Sequence, residues 1–293
     1  MRIKSALISV TDKDNLNNIL RILKKYKIKI ISSGGTYKKI KSLGYQCTEV
    51  SEYTKFPEIL DGRVKTLHPK IHSGILYKRR KYSHKKILKK LKYESIDLVI
   101  SNFYPFENIL NQTKNHKKII ENIDIGGPTM VRAAAKNYND VTVITSISQY
   151  EDLIEELIKF KGSTSHRFRQ KMSQIAFSET AYYDALISNF FNMINNNKFP
   201  QKKIIYGNLI EKLRYGENPH QFSGYYSKNL KTNLKQIQGK QLSYNNYSDI
   251  FAALTISKSL PKNKGTVIVK HANPCGVSIK SNPVDSYNSA LAC

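Results

Sequence analysis

The chain has 293 residues, of which 40% are hydrophobic and 24% charged, a composition typical of a globular protein. This length predicts about two domains. No apolar run reaches about 18 residues, so we expect no membrane span, and the short, charge-interrupted N-terminal run is unlike a signal peptide. Cys47, Cys275 and Cys293 lie far apart, which argues against a disulfide framework and a zinc knuckle. We therefore expect a cytoplasmic protein.

The net charge is strongly basic. Lys and Arg total 48 against 22 Asp and Glu, which gives a formal charge of +26. One interpretation is nucleic-acid binding. We favour a compositional cause, because Lys, Asn, Ile and Tyr share AT-rich codons and are abundant together, and because the basic residues are spread along the chain. Either way, the charge would attract phosphorylated substrates.

The first 145 residues alternate between strand and helix patterns. Helical spacing of apolar residues is clear over 15–26, and a second helix is expected through Ile40 and Leu43. Because the strands are too far apart for hairpins, the pattern predicts an α/β fold with a parallel sheet and right-handed crossovers. The predicted strands are 3–10, 27–32, 47–50, 96–101 and 141–145.

Residues 146–203 are predicted to form a helical extension and a polar linker. A second region, 204–293, combines further strands and helices, and the sequence ends inside its last predicted helix. We therefore expect 204–293 to be only the first part of a domain. The predicted helices of both regions are 150–160, 164–191, 249–257 and 283–292, and the strands are 223–226 and 266–270.

Small, hydroxylated and cationic residues follow three of the predicted strands. In an open parallel sheet, ligands bind beyond the carboxyl ends of the strands, and glycine-rich turns before a helix present N–H groups to an anion. One Ser-Gly-Gly-Thr sequence is equally typical of an ordinary turn, but several such loops at one edge favour a phosphate site. These residues are Ser9, Thr11 and Lys13, then Ser33, Gly34, Gly35 and Thr36, then Asn102, Tyr104 and Pro105.

The segment 61–69 places Arg63, Lys65 and His68 beside Gly and Pro. Arg provides a planar fork for a phosphate or carboxamide, whereas Lys acts as a point charge or proton donor. The alternative is a solvated basic loop. His68 and His72 are four residues apart, but Pro69 separates them and no Glu follows His68, so we do not expect a zinc site.

The segment 122–128 precedes a helix predicted over 129–137. Asp124 would lie near the positive end of that helix and stay ionised, and Arg132 and Lys136 would share one face. A simple helix cap is the alternative for Asp124, and a surface lysine is the alternative for Lys136.

The second region offers two further candidates. A dense polar loop over 213–221 contains Arg214, and Lys270 and His271 follow a predicted strand. Because His titrates near neutrality, that pair is suited to proton transfer, although such pairs are more often structural. Cys275 has no clear adjacent base, so we do not expect it to be a nucleophile.

Together these segments resemble the family of bifunctional purine biosynthesis proteins, which joins inosine monophosphate (IMP) cyclohydrolase to aminoimidazole carboxamide ribonucleotide (AICAR) transformylase. The resemblance runs from residue 1 to 293. Its smaller departures, such as Thr11 where Ser is more usual, keep the hydroxyl. The motifs are Ser-Val-Thr-Asp-Lys at 9–13, Ser-Gly-Gly-Thr at 33–36, Phe-Pro-Glu-Ile-Leu-Asp-Gly-Arg-Val-Lys-Thr-Leu-His-Pro at 56–69, Asn-Phe-Tyr-Pro-Phe at 102–106, Ile-Asp-Ile-Gly-Gly-Pro at 123–128, Arg-Ala-Ala-Ala-Lys-Asn at 132–137, Leu-Arg-Tyr-Gly-Glu-Asn-Pro-His-Gln at 213–221, Leu-Ser-Tyr-Asn-Asn at 242–246 and Lys-His-Ala-Asn-Pro-Cys-Gly at 270–276.

The resemblance implies a methylglyoxal-synthase-like cyclohydrolase domain over 1–145, an extension and linker over 146–203, and an incomplete transformylase domain over 204–293. It implies closure of formyl-AICAR to IMP with loss of water, without metal or cofactor. The implied catalytic residues are Lys65, Tyr104, Asp124 and Lys136. The implied substrate-binding residues are Ser9, Thr11, Lys13, Ser33, Gly34, Gly35, Thr36, Arg63, Thr66, Asn102 and Gly126.

For the transformylase half, the resemblance implies 10-formyltetrahydrofolate as cosubstrate, with Lys270 and His271 as the catalytic pair. Arg214, Tyr215 and Gly216 would form part of the nucleotide site. Family members continue beyond this end, so we expect a fragment or shortened protein that retains cyclohydrolase activity and lacks formyl transfer. A homodimer is also implied, with a purine ribonucleotide substrate and neither a specific nucleic acid nor a membrane as partner.

Two alternative hypotheses for the function remain. The chain could be a basic nucleotide- or nucleic-acid-binding protein that has lost its chemistry, although the retained Lys65, Tyr104, Asp124 and Lys136 argue against decay. A methylglyoxal-synthase-like lyase would need carboxylates at the sheet edge that we do not find in the sequence.

Overall fold

The computed structural model describes residues 2–104, 106–228, 234–262 and 264–293. Pro105, predicted to follow the fourth strand, lies outside this set. The chain divides into two units, Met1–Ile204 and Ile205–Cys293. Within the described ranges, none of the helices combines the length and apolarity needed to cross a bilayer.

The first unit is built on a five-stranded parallel sheet with the order β3-β2-β1-β4-β5. Its strands are short apolar runs, and Ala6, Leu7 and Ile8 of β1 are fully buried, as expected for a sheet covered on both faces. The strands are β1 (Ser5–Ile8), β2 (Lys29–Ser32), β3 (Thr48–Glu49), β4 (Leu98–Ile100) and β5 (Thr142–Ile144).

Helices surround this sheet and complete the core. In the first of them, Leu16, Ile19, Leu20 and Leu23 are buried at helical spacing. The helices are α1 (Leu16–Lys25), α2 (Gly34–Ser42), α3 (Val50–Thr54), α4 (Pro69–Leu76), α5 (Tyr82–Leu91), α6 (Phe106–Gln112), α7 (His116–Glu121), α8 (Gly126–Lys136), α9 (Tyr150–Lys159) and α10 (His166–Ile194).

The second unit contains two antiparallel hairpins and two helices. One hairpin pairs β6 with β7, and the other pairs β8 with β9. These elements are β6 (Asn208–Lys212), β7 (Gly224–Ser227), α11 (Tyr244–Ser257), β8 (Thr266–Lys270), β9 (Asn273–Ser278) and α12 (Pro283–Leu291).

The predicted α/β class and parallel sheet are confirmed, and all five predicted strands of the first unit are present. Several boundaries differ. The helix predicted from residue 129 begins at Gly126, the helix predicted from 249 begins at Tyr244, and α10 extends into the predicted linker as far as Ile194. Sequence reasoning missed α3 to α7, β6 and β9. Most of these elements are short, and short elements carry weak periodicity.

Candidate active site at the sheet edge

The loops after β1, β2 and β4 meet at the carboxyl edge of the sheet, as predicted. The Ser9 N–H donates to the Ile100 carbonyl (2.9 Å), and the Ser32 hydroxyl donates to the Ile8 carbonyl (2.7 Å). The buried Thr36 hydroxyl accepts from the Val10 N–H (3.0 Å) and donates to the Val10 carbonyl (2.9 Å). Thr36 therefore joins α2 to the end of β1, and the proton of its hydroxyl is already donated there.

Two lysines lie beside the glycines that start α2. Gly34 has a φ of +53°, and a Cβ built on it would lie 3.4 Å from the Lys65 Nζ; a Cβ on Gly35 would lie 3.9 Å from the Lys13 Nζ. The preceding Ser33 makes no side-chain capping bond. The free N–H groups of a helix start and two ammonium groups therefore share one small region, which is the arrangement that an anionic group such as phosphate requires.

Asn102 holds the loop after β1. Its Oδ1 accepts from the N–H groups of Thr11 (2.6 Å) and Asp12 (3.1 Å), and its Nδ2 donates to the Asp12 carbonyl (2.9 Å). Lys13 Nζ donates to the Thr11 carbonyl (2.9 Å). The Asn102 amide thus shapes the loop that positions Lys13.

Lys65 and Arg63, the two cations of the 61–69 segment, each pair with a carboxylate. The sequence patterns did not predict these pairs. Lys65 Nζ lies 2.7 Å from Glu58 Oε1, with 30% of the Lys65 side chain exposed, and Arg63 pairs with Glu121. The pairing raises the pKa of Arg63 and lowers that of Glu121. Exposed pairs of this kind are weak, so an incoming anion can compete for Arg63.

Asp124 lies just before α8, where several N–H groups converge on its carboxylate. The Gly127 N–H donates to its Oδ1 at 2.9 Å, and the backbones of Gly126 and Tyr104 also hydrogen-bond to it. These bonds favour the ionised form, which is the direction expected in the sequence analysis from the position of Asp124 before a helix. Burial acts in the opposite direction and is the larger influence, so the pKa of Asp124 lies above its usual value.

Thr66 connects this region to the lysines. A Cβ on Gly126 would lie only 2.9 Å from the Thr66 Oγ1, so the first residue of α8 must be small. Since Lys65 reaches the start of α2 and Thr66 the start of α8, two consecutive residues span both helix N-termini. Tyr104, whose backbone meets Asp124, is 43% exposed at the rim.

Lys136 is not brought to this cluster within the chain. It is the last residue of α8 and is exposed, whereas Asp124 precedes the first residue. A helix of this length separates the two ends by about 15 Å. Within one chain, Lys136 therefore lies far from Asp124, and its implied catalytic role stays a prediction. Arg132, on the same helix, lies over the Phe177 ring at 5.7 Å.

The histidines near this loop have local roles. His68 caps α4, with its Nδ1 accepting from the Lys70 N–H at 3.1 Å. His72 hydrogen-bonds to the Thr66 backbone, and burial lowers its pKa. The His72 side chain therefore holds the backbone of Thr66, whereas the His68 side chain stabilises the start of α4.

In the second unit, Lys270 ends β8, and His271 forms a two-residue turn with Ala272. Both turn residues have positive φ (50° and 60°), a conformation that non-glycine residues rarely adopt. The Ala272 N–H donates to Asp249 Oδ1 at 2.7 Å. Lys270 and His271 are exposed, and Cys275 and Gly276 belong to β9.

Arg214, Tyr215 and Gly216 follow β6. The Arg214 guanidinium lies 4.8 Å from the Tyr215 ring centre, and the Gly216 N–H donates to the Gln221 carbonyl at 2.8 Å. The Tyr244 N–H of α11 donates to the Tyr215 carbonyl at 3.1 Å. Since α11 also carries Asp249, one helix holds both this loop and the His271 turn.

The fold and the sheet-edge cluster define an α/β protein whose N-terminal part is an MGS-like domain, and the model of that domain matches residues 15–129. The model of the AICARFT/IMPCHase bienzyme matches residues 134–293, which is more than half of the chain. The chain therefore belongs to the AICARFT/IMPCHase bienzyme family.

Curated relatives support this assignment over the whole chain. The bifunctional purine biosynthesis protein PurH of Rhizobium johnstonii is 45% identical over 299 residues, and those of Rhizobium leguminosarum bv. trifolii and Agrobacterium fabrum are 44% and 45% identical. Each alignment covers 100% of this chain but 56% of the relative. The chain thus spans little more than half the length of these proteins.

A solved structure is also similar. The crystal structure of ForH aligns with a TM-score of 0.58 and 27% identity, over 64% of this chain and 99% of the ForH chain.

Proposed function

We propose that the first unit closes formyl-AICAR to IMP with release of water. The observation that carries this proposal is the position of Lys65 and Thr66 between the N-termini of α2 and α8. The start of α2, with Lys13, suits the substrate phosphate. The start of α8, with Asp124 and Tyr104, suits the reacting end of the same nucleotide. The family, shown by the domain models and by the PurH relatives, supports this substrate class.

Ring closure depends mainly on how the enzyme positions the two reacting groups of the substrate. The carboxamide nitrogen attacks the formyl carbon, one C–N bond forms, and the formyl oxygen leaves as water after proton transfers. Holding the two groups in contact supplies much of the rate. Asp124 would accept the amide proton, and Lys65 and Tyr104 would stabilise the oxyanion that develops on the formyl oxygen.

The remaining residues would bind the substrate or hold the loops that surround it. Ser9, Thr11, Ser33 and the two glycines line the phosphate end, and Arg63 reaches the substrate by exchanging its partner Glu121. Asn102 and Thr36 would act through the loop backbone that they hold. Lys136 has no role in this single-chain scheme, because α8 places it at its far end.

For the second unit we propose the role that the family implies in its full-length members. His271, beside Lys270, would deprotonate the AICAR amine as it attacks the formyl group of 10-formyltetrahydrofolate, with Arg214, Tyr215 and Gly216 at the nucleotide. We propose that the 293-residue chain alone does not carry out this transfer, since Lys270 and His271 are exposed on a hairpin turn. A homodimer, and domains over 1–145, 146–203 and 204–293, remain part of the proposal.

The test is IMP formation from formyl-AICAR by the purified chain and by Lys65→Ala. We expect the variant to lose at least about a hundredfold in kcat, the scale on which an oxyanion donor acts. Lys85→Ala, which removes an exposed lysine on α5, controls for loss of charge and should keep full activity. No IMP from a well-folded chain would contradict the proposed function and favour a basic binding protein.

A further inference from the structure

The long helix α10 reaches the candidate site through one buried tyrosine. The Asp124 N–H donates to the Tyr183 hydroxyl at 2.8 Å, and Tyr183 is only 5% exposed. The two residues are 59 positions apart. Tyr183 also lies outside the residues matched by the MGS-like domain model.

Tyr183 also contacts the segment that carries Tyr104. Its ring centre lies 5.3 Å from that of Phe103 and 6.1 Å from that of Phe106, the residues on either side of Tyr104–Pro105. Aromatic pairs at these distances add directional packing to apolar burial. The Tyr183 side chain therefore contacts both the Asp124 backbone and the aromatic residues that flank Tyr104.

A second residue of α10, ten positions before Tyr183, bonds to the helix that Asp124 precedes. The Ser173 hydroxyl donates to the Ala135 carbonyl at 2.8 Å, near the end of α8. Ser173 and Tyr183 are ten residues apart on α10, so the two attachments are separated by about 15 Å along the helix. That span matches the length of α8. The helix α10 therefore runs antiparallel to α8, and its two hydrogen bonds lie at the two ends of α8.

We propose that Tyr183 is a positioning residue for ring closure: it fixes the Asp124 backbone and the Tyr104 segment relative to each other. This inference rests on the function proposed above. It implies that the reacting geometry is completed by a helix outside the MGS-like part of the chain. Burial raises the pKa of Tyr183 to about 12, so its hydroxyl stays protonated and neutral in the physiological range.

The experiment compares Tyr183→Phe with Tyr182→Phe in the full chain. Both remove one tyrosine hydroxyl from the same turn of α10, but the Tyr182 hydroxyl donates to Glu107 Oε2 at 3.3 Å, whereas the Tyr183 hydroxyl accepts from the Asp124 N–H. For Tyr183→Phe we expect kcat to fall about tenfold with KM changed less than threefold, since small misplacements of reacting groups slow the reaction. Tyr182→Phe should stay within twofold in both constants.

Hydrogen exchange of the Asp124 amide, followed in a peptide spanning residues 119–127, provides a readout that does not need activity. We expect one amide of that peptide, the Asp124 amide, to exchange at least about tenfold faster in Tyr183→Phe, and the peptide to be unchanged in Tyr182→Phe, because only the first variant removes the acceptor of that amide. Unchanged exchange would overturn the inference, and so would faster exchange with an unchanged kcat. If the unmodified chain makes no IMP, the proposed function fails, while the exchange rates still decide whether Tyr183 holds Asp124.

Discussion

The two units of this protein differ in how they bury apolar residues. In the first, the strands and helices share one continuous core, with β1 fully buried. In the described part of the second, Ala290 is the one apolar side chain that is nearly inaccessible, and the side chains of Phe222 and Ile237 are almost completely exposed. The first unit therefore has a core of its own, whereas the second has little internal packing.

This difference bears directly on the two candidate sites. The loops of the first unit extend from a buried parallel sheet, and long-range hydrogen bonds from Asn102 and Thr36 fix their shape. The Lys270–His271 turn extends from a two-stranded hairpin, an element that is marginally stable without further packing. We therefore expect catalytic preorganisation in the first unit of this chain and not in the second.

The largest effect is expected for Asp124→Asn. Removal of the proposed base should lower kcat for IMP formation by about a hundredfold to ten thousandfold, the usual contribution of a general base. Glu155→Gln, the same chemical change at an exposed position of α9, should leave kcat unchanged. Steady-state kinetics at saturating formyl-AICAR measures both, and equal activity of the two variants would remove Asp124 from the mechanism.

The pH profile gives an independent check of the same residue. Because burial raises the pKa of Asp124, and because the base must be ionised, activity should fall on the acid side at a pH above that of an ordinary aspartate. The loss occurs as the pH decreases through the raised pKa. A profile of kcat with no acid limb attributable to a carboxyl group would contradict this assignment.

Matched core substitutions compare the stability of the two units. Ile8→Ala, in fully buried β1, should lower the free energy of unfolding by about 2–5 kcal/mol, because it creates a cavity. Ile268→Ala, in half-buried β8, should cost about 1 kcal/mol or less. Urea unfolding followed separately in each unit measures this difference, and equal costs would mean that the second unit is as well packed as the first.

Glycine substitutions test the contact between α2 and Lys65. Gly34→Ala and Gly44→Ala both impose a side chain on positive φ (+53° and +79°), but only the first places a Cβ against Lys65 Nζ. We expect both to lose similar stability, about 1–2 kcal/mol. KM for formyl-AICAR should rise about tenfold only in Gly34→Ala. A similar KM in both variants would place the phosphate elsewhere.

The smallest effect is expected in the second unit. Lys270→Ala and His271→Ala should leave IMP formation within twofold, because the ring-closure groups all lie in the first unit. The unmodified chain should transfer no formyl group from 10-formyltetrahydrofolate to AICAR. Formyl transfer that His271→Ala abolishes would show that the exposed turn is already competent.

Much of the fold could be read from local patterns, and the exceptions have identifiable causes. Apolar runs such as 96–101 predict buried strands because a sheet covered on both faces needs continuous apolar residues. The start of α8 was placed three residues late, because Gly126, Gly127 and Pro128 are weak helix formers and a hydrogen bond from Gly127 to Asp124 stabilises the helix start. His271 and Ala272 adopt positive φ, which their residue types do not indicate.

Local patterns in the sequence predict the alternation of strands and helices, the loops expected at the sheet edge and the resemblance to a family, because these depend on residues close together in the chain. The packing of the elements brings together groups that these patterns do not connect: Asn102 with Thr11, Lys65 with Glu58, and Tyr183 with Asp124. It also separated Lys136 from Asp124 by the length of a helix. Helical and strand periodicities indicate which face of an element is buried, but they do not say which distant side chain lies against it, because that depends on how the elements pack around the sheet.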